Sequence, residues 1–251
     1  MTFPQELNID VTNDCNKACS ICPMKNRKKE DLFPIGYMTM DVFTDIISQM
    51  CNGTANPVIN LHKDGEPLLH PHIGDMIEYA SLGGCFTHFA TNGVLLGEKK
   101  KDIVDAGLDL LTISVVGDIP TDAINEFMSY KGVQRPLTQI KIYTEDALWG
   151  KVLPKVDKLI HGKLHNWTDS SVRTARTPCS KLLTGMAITW DGYFSLCCVD
   201  YKREMTPFNV KTTSIKEAWK LNRVIYKGQE SDMFLPPCKT CNYWEERDVT
   251  R

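Results

Sequence analysis

Ten cysteines are spread unevenly along this chain, and their distribution constrains it more than any other feature. Cys15, Cys19 and Cys22 crowd into residues 15–22, none occurs between Cys85 and Cys179, and Cys179, Cys197, Cys198, Cys238 and Cys241 follow. Cys51 and Cys85 stand apart. In a small secreted protein so many thiols imply a disulfide frame, because a tiny core cannot hold the fold alone. This chain has 251 residues, 42% hydrophobic and 24% charged. That allows a core of ordinary size, so metals are not needed merely to hold the fold. Close thiol clusters in a reducing cytosol point to metal or catalysis, and two separate metal-binding groups are the simplest reading.

Charge and hydropathy narrow the partners. Lys+Arg 29 against Asp+Glu 31 gives a net charge of -2, without the basic surplus of a nucleic-acid-binding domain. The local run Lys25 to Lys29 reads as a solvated loop. No stretch of 18 apolar residues exists to cross a membrane. Met1 to Glu6 lacks the charged and apolar regions of a secretory signal. A cytoplasmic protein with no nucleic-acid or membrane partner is expected.

Periodicity sets the architecture. Strands are expected at Leu7–Val11, Val58–His62, Cys85–Ala90, Leu110–Val116 and Thr138–Tyr143. Helices are expected at Met38–Met50 with Thr39 as N-cap, Ile73–Ala80, Gly97–Ala106 and Asp122–Tyr130. This alternation predicts βαβ units, a parallel sheet and an open or partial barrel, with functional residues after the strands. The pattern changes near residue 165. Met186–Trp190 and Tyr193–Cys198 around Asp191-Gly192 read as a β-hairpin, and Ser214 to Glu217 as a capping box. Residues 1–165 are therefore expected to form the barrel and residues 166–251 a small α+β metal-bearing module.

Cys15-Asn-Lys-Ala-Cys19-Ser-Ile-Cys22 follows the first strand. Three thiolates on one loop can hold three irons of a cubane cluster and leave the fourth iron open. The alternative is zinc, with a fourth ligand such as His62, His70 or His72. After the second strand comes Asp64-Gly65-Glu66-Pro67, and after the third Thr91-Asn92-Gly93. With these segments the whole chain resembles the radical S-adenosylmethionine (SAM) superfamily. Asp64 to Pro67 is similar to that family's Gly-Gly-Glu-Pro motif, with Asp64 in place of the first Gly and Glu66 retained. Ile21, before the third cysteine, stands where an aromatic residue often packs near adenine. The resemblance implies a partial (β/α)6 barrel and a [4Fe-4S] cluster on Cys15, Cys19 and Cys22. It also implies SAM held by Gly65, Glu66 and Pro67, with Thr91, Asn92 and Ser114 on the SAM or substrate side. The reduced cluster would cleave SAM to a 5′-deoxyadenosyl radical that abstracts a substrate hydrogen.

The later cysteines fit a second group. Cys179-x12-Gly192-x4-Cys197 followed by Cys238-x2-Cys241 resembles the SPASM/Twitch extension of the same superfamily. No cysteine follows Cys241, so one auxiliary [4Fe-4S] cluster with four cysteine ligands is expected; structural zinc is the alternative. Cys197 is preferred to Cys198, since neighbours on a regular strand face opposite ways. Cys198, Cys51 and Cys85 read as small buried apolar residues, and the histidines as loop or surface residues. The plan is similar to short radical SAM alcohol dehydrogenases, which implies oxidation of a small aminocyclitol or sugar-like substrate. A flavodoxin or ferredoxin would donate the electron. Asp169, Arg173 and Arg176 are candidates for the base, or with Trp167 simply bridge the domains. A peptide-modifying enzyme and a zinc-bound interaction module are the rival readings.

Overall fold

The computed structural model describes residues 3–24, 33–143, 154–161, 178–203, 206–236, 238–239 and 241. The basic run at Lys25 to Lys29, and Trp167, Asp169, Arg173 and Arg176, lie outside them. One sheet organises the chain. Its eight strands are β1 (Glu6–Ile9), β2 (Val58–Asn60), β3 (Phe86–Thr91), β4 (Leu110–Val115), β5 (Leu137–Ile142), β6 (Lys158–His161), β7 (Gly185–Ile188) and β8 (Phe194–Ser195). The order is β6-β5-β4-β3-β2-β1-β7-β8. Every pairing is parallel except β7 with β8. Parallel neighbours require crossovers, and from β1 to β5 four helices supply them: α1 (Met40–Gly53), α2 (Ile73–Leu82), α3 (Leu96–Val104) and α4 (Thr121–Lys131).

Side-chain alternation divides the sheet into two faces. Leu7, Ile9, Ile59, Phe89, Leu111, Ile113, Ile140 and Ile142 are at most 2% exposed. They share one core with Phe43, Ile46, Ile47 and Met50 of α1, Ile73 and Ile77 of α2, and Ile124 and Phe127 of α4. The opposite face carries Glu6, Asn8, Asn60, His88, Thr112, Ser114, Gln139 and Lys141, paired in register as Asn8–Asn60, Asn60–His88, Thr112–Gln139 and Ser114–Lys141. An apolar face against helices and a polar face left free is the arrangement of a partial barrel with its site inside.

The C-terminal hairpin extends this sheet. β7 lies parallel to β1, with Leu7 opposite Met186 and Asn8 opposite Ala187. Gly192 takes φ +86° in the turn, a conformation glycine adopts freely. Strand β8 stops at Ser195, short of the expected Cys198. The Ser195 hydroxyl donates to the Asp200 carbonyl at 2.7 Å and the Asp200 carboxylate accepts from the Leu196 amide at 3.1 Å. Those bonds fold Cys197 and Cys198 into a turn, so the strand-alternation argument does not govern them. A short helix, α5 (Lys181–Thr184), precedes β7. A longer helix, α6 (Ile215–Glu230), starts at the Ser214–Glu217 capping box and buries Trp219 to 1%. The expected boundary near residue 165 falls outside the described residues.

Candidate functional site

Three loops meet beyond the carboxyl ends of β1, β2 and β3. The first runs from Asp10 to Cys22 and is tied back to the segment entering α1. Its Thr12 hydroxyl donates to the Gly36 carbonyl at 2.8 Å, and the Met38 amide donates to the Val11 carbonyl at 2.8 Å. The Asp14 carboxylate accepts from the Cys15 amide at 2.9 Å and from the Tyr37 hydroxyl at 2.7 Å. The Cys22 amide closes a turn on the Cys19 carbonyl at 3.1 Å.

The second loop docks against the first. The Glu66 amide donates to the Asp14 carbonyl at 2.7 Å. A Cβ at Gly65 would fall on the Thr12 carbonyl oxygen and lie 2.6 Å from that of Asp14, so only glycine lets the two backbones come this close. Glu66 is 2% exposed. Its carboxylate accepts from the Thr91 hydroxyl at 2.7 Å, the Asn92 amide at 2.8 Å and the Leu68 amide at 3.1 Å. The third loop completes the junction. Asn92 donates its side-chain amide to Asn16 Oδ1 at 2.7 Å and lies 4.0 Å from Cys15 Sγ. Thr91 and Asn92, expected near SAM, therefore also orient Glu66.

The electrostatics fit a cationic guest. Burial pushes the Glu66 carboxyl above its ordinary range, against the pull of its three donors. Desolvation raises the Cys15 thiol, and the Glu66 carboxylate and the Cys22 and Cys19 thiols raise it further. The Cys15 thiol and the Glu66 carboxyl are both pushed towards their neutral forms, and iron bearing an ammonium-containing ligand would supply the charge that favours the ionised ones. Among the described residues no three His, Cys, Asp or Glu side chains close on a single metal ion. A four-iron cube spaces its ligands more widely than one zinc ion does.

The later cysteines gather around a satellite core of Leu182, Leu196 and Ile225, against which Cys179 and Cys238 pack. Gln229 of α6 accepts from the Cys179 amide at 2.8 Å. Burial pushes the Cys197 thiol far up, with Cys198, Cys238 and Cys241 adding to the effect. Cys198 is also raised by burial, but its other neighbours are Lys181, Lys63, Glu6 and Asp64. Charge at Cys238 and Cys241 thus bears on Cys197, and that of the barrel residues on Cys198. Glu6, Asn8, Lys181, Gly185, Cys197 and Cys198 line one cavity between the polar sheet face and the C-terminal turn.

The histidines divide. His72 is exposed and bonds Asp75 at 2.9 Å, as a surface histidine does. His70 lies in a loop, as expected, but is buried there, 1% exposed, and bonds the Met38 carbonyl at 2.9 Å. His62 lies edge-on to His88, ring centroids 5.1 Å apart, with Nδ1 buried and unbonded. Cys85 is 5% exposed, with its sulfur 3.5 Å from that of Cys51.

Sequence reasoning missed a relay across the polar face. Gln139 Nε2 donates to Thr112 Oγ1 at 2.8 Å, and Thr112 bonds His88 Nε2 at 2.9 Å. His88 Nδ1 bonds Asn60 Oδ1 at 2.7 Å, and Asn60 Nδ2 donates to Glu6 Oε1 at 2.6 Å. Because Asn60 donates to the carboxylate, its oxygen accepts, so His88 carries its proton on Nδ1. The only available signal was the placement of these polar residues on alternate strand positions. Asp10 and Lys63, also missed, are buried charges beside the second loop.

Comparison with known proteins agrees with this geometry. Residues 9–137 match the Radical SAM superfamily, and residues 179–242 match SPASM, an iron-sulfur cluster-binding domain. The tungsten-containing aldehyde ferredoxin oxidoreductase cofactor-modifying protein of Pyrococcus furiosus is 29% identical over 110 residues, 43% of this chain and 30% of that protein. The PqqA peptide cyclase of Streptomyces rochei is 28% identical over 116 residues, 45% of this chain and 30% of that protein. The chain thus aligns with less than a third of the length of either relative. Among solved structures, BtrN in complex with AdoMet and 2-DOIA superimposes with TM-score 0.67 at 19% identity, covering 95% of this chain and 93% of that one. SuiB of Streptococcus suis bound to precursor peptide SuiA gives 0.54 at 15% identity, covering 96% and 70%. A radical SAM domain implies a [4Fe-4S] cluster and SAM, and a SPASM domain implies further iron–sulfur ligation. The chain belongs to the radical SAM superfamily and carries a C-terminal SPASM domain.

Proposed function

We propose that this protein is a radical SAM oxidoreductase that takes two electrons from a small hydroxylated biosynthetic substrate, converting an alcohol to a ketone. The observation that carries this reading is the cavity joining Glu6 and Asn8 of the polar sheet face to Cys197 and Cys198. It puts the C-terminal thiols at the edge of the face where substrate would lie. An electron acceptor there gives an oxidised substrate radical an exit.

In this reading Cys15, Cys19 and Cys22 hold three irons and leave the fourth for SAM. Bound together and reduced, cluster and SAM supply a hydrogen-abstracting radical. Glu66 accepts a hydrogen bond from the SAM ammonium, on a backbone fixed by Gly65 and followed by the turn-forming Pro67. Thr91 and Asn92 hold that carboxylate in place, and Ser114 contributes to the polar face. Cys179, Cys197, Cys238 and Cys241 ligate the auxiliary cluster, and the barrel gives way to its module near residue 165. Asp169, Arg173 and Arg176 are the candidates to take the hydroxyl proton. A flavodoxin or ferredoxin serves as electron donor. The neutral hydrogen-bonding character of Asn60, His88, Thr112 and Gln139 suits a hydroxylated substrate. The likeness in fold and length to BtrN, seen with AdoMet and 2-DOIA, supports a substrate of that size.

Superfamily members also act on peptides, so the test must separate the classes. Anaerobically reconstituted protein is incubated with SAM, a reductant and a panel of aminocyclitols and sugars. A product two electrons more oxidised than its substrate, matched by one 5′-deoxyadenosine, is expected. Iron and sulfide should accompany the protein in place of zinc. A product isomeric with its substrate, or turnover on peptides alone, would sink the alcohol-oxidation reading.

A further inference from the structure

Three buried charges at the carboxyl ends of β1 and β2 have no part in the assignments above. Asp10, directly after β1, is 2% exposed. After β2, Lys63 and Asp64 form an ion pair with side chains 0% and 8% exposed. The Asp10 carboxylate accepts from the Asp64 amide at 3.1 Å and also from the Gly65 amide. A fourth charge, Asp200, is 1% exposed on the turn after β8 and acts on the same Lys63 ammonium. Asp64 stands where the motif of the resembled family has glycine.

Burying a charge costs several kcal/mol unless partners compensate it. Burial pulls the Lys63 ammonium towards neutrality, but Asp64, Asp10 and Asp200 more than offset this and hold it charged. Burial drives the Asp10 carboxyl up to about 7, with Asp64 adding and Lys63 opposing. One ammonium therefore keeps mutually repelling carboxylates together. They come from the end of β1, the loop after β2 and the turn of the C-terminal hairpin.

We infer that Lys63 is a positioning residue whose ion pair with Asp64, set beside the buried Asp10 carboxylate that holds the Asp64 amide, fastens the Asp64-Gly65-Glu66 backbone to the end of β1, so that SAM affinity depends on it. The inference rests on the reading of Glu66 as a SAM ligand. Without the ammonium, the Asp10 and Asp64 carboxylates face each other unscreened. One must take a proton or move, and moving Asp10 frees the Asp64 and Gly65 amides that set the direction of Glu66.

The test uses the fully reconstituted protein with SAM as the probe. Lys63→Met should weaken SAM binding about five- to ten-fold, in the range of ordinary coupling between sites. Its iron content should stay at the wild-type level. The uncompensated negative charge should also move the auxiliary-cluster reduction potential to a more negative value. Lys63→Met with Asp64→Asn restores the charge count and should return SAM affinity to within about two-fold of wild type, as coupled neighbours do. Unchanged SAM affinity in the single variant overturns the inference, as does a double variant no better than the single. If the single variant fails to fold, the double variant decides, since it must fold and bind SAM like wild type. Glu66→Gln run alongside separates the two readings. Unchanged affinity there overturns the Glu66 assignment, whereas unchanged affinity in Lys63→Met alone overturns this inference.

Discussion

Glu66 illustrates how a carboxylate is held ready for a cation. Its three donors come from Leu68, Thr91 and Asn92, on two different loops, so the group is both buried and aimed. Glu66→Gln keeps the size but removes the charge. Charge-assisted bonds contribute roughly 1.5–3 kcal/mol, so SAM binding should weaken about ten-fold or more while iron content holds. Equilibrium dialysis with labelled SAM measures this directly. His88 makes a different prediction. Burial lowers its pKa to about 4, and burial together with His88, Lys181 and Lys141 lowers that of His62 to about 3. Both rings stay neutral in the fold but titrate near 6.5 once unfolded. Below 6.5 the unfolded chain therefore binds protons that the folded chain refuses, and stability falls as pH drops towards 4. His88→Gln can keep both relay bonds, because an amide donates to Asn60 and accepts from Thr112. Urea midpoints taken from about pH 7 down to about pH 4.5 should fall less steeply in this variant than in wild type.

At the scale of elements, helix ends follow local chemistry. The Ser214 hydroxyl accepts from the Glu217 amide at 3.3 Å, while Glu217 reaches back to the Ser214 amide at 3.1 Å. Ser214→Ala should cost about 1 kcal/mol in urea unfolding, the usual contribution of an N-cap. SAM cleavage should stay unchanged, because this cap is remote from the three converging loops. Such features were legible in the sequence because they act over three or four residues. The Thr39 and Ser214 caps were legible, and so were the first five strands and the cysteine spacing. Glu66 was found through its motif, but its clasp by Thr91 and the turn that separates Cys197 from Cys198 depend on residues brought together by the sheet. The four-residue strand β6 has Lys158 and His161 at its ends, so it offered little apolar alternation to read. Asp10 and Lys63 escaped notice because single charges near a strand end ordinarily face water. Here the sheet brings the Asp64 amide, 54 positions along the chain, onto Asp10 and buries Lys63 with its neighbour Asp64 beside them.

At the scale of the molecule, the C-terminal hairpin that leads into Cys197 belongs to the same sheet as the strands that lead into the three converging loops. Strand β7 pairs with β1, and Asn222 of α6 donates to the Gly185 and Leu196 carbonyls at 3.3 and 3.2 Å. The hairpin is thus placed by the barrel and does not depend on a cluster to reach it. This bears on what an auxiliary cluster does. A purely structural cluster would staple the hairpin to the Cys238-Cys241 knuckle, and its loss would show as instability. An electron acceptor would instead show in the product. If Cys179, Cys197, Cys238 and Cys241 all ligate it, as proposed, no iron is left open for substrate and electron transfer is the chemistry left to it. Cys238→Ala with Cys241→Ala should fold, since the main core under the sheet includes neither cysteine and Cys238 packs against the satellite cluster of Leu182, Leu196 and Ile225. It should still cleave SAM but cease to form oxidised product. The radical made from substrate then has no acceptor, and 5′-deoxyadenosine should accumulate without a matching ketone. Mass spectrometry of both products from one reaction decides the question. Oxidation continuing at the wild-type ratio would assign the second cluster to structure, and a product isomeric with the substrate would remove the need for an acceptor altogether.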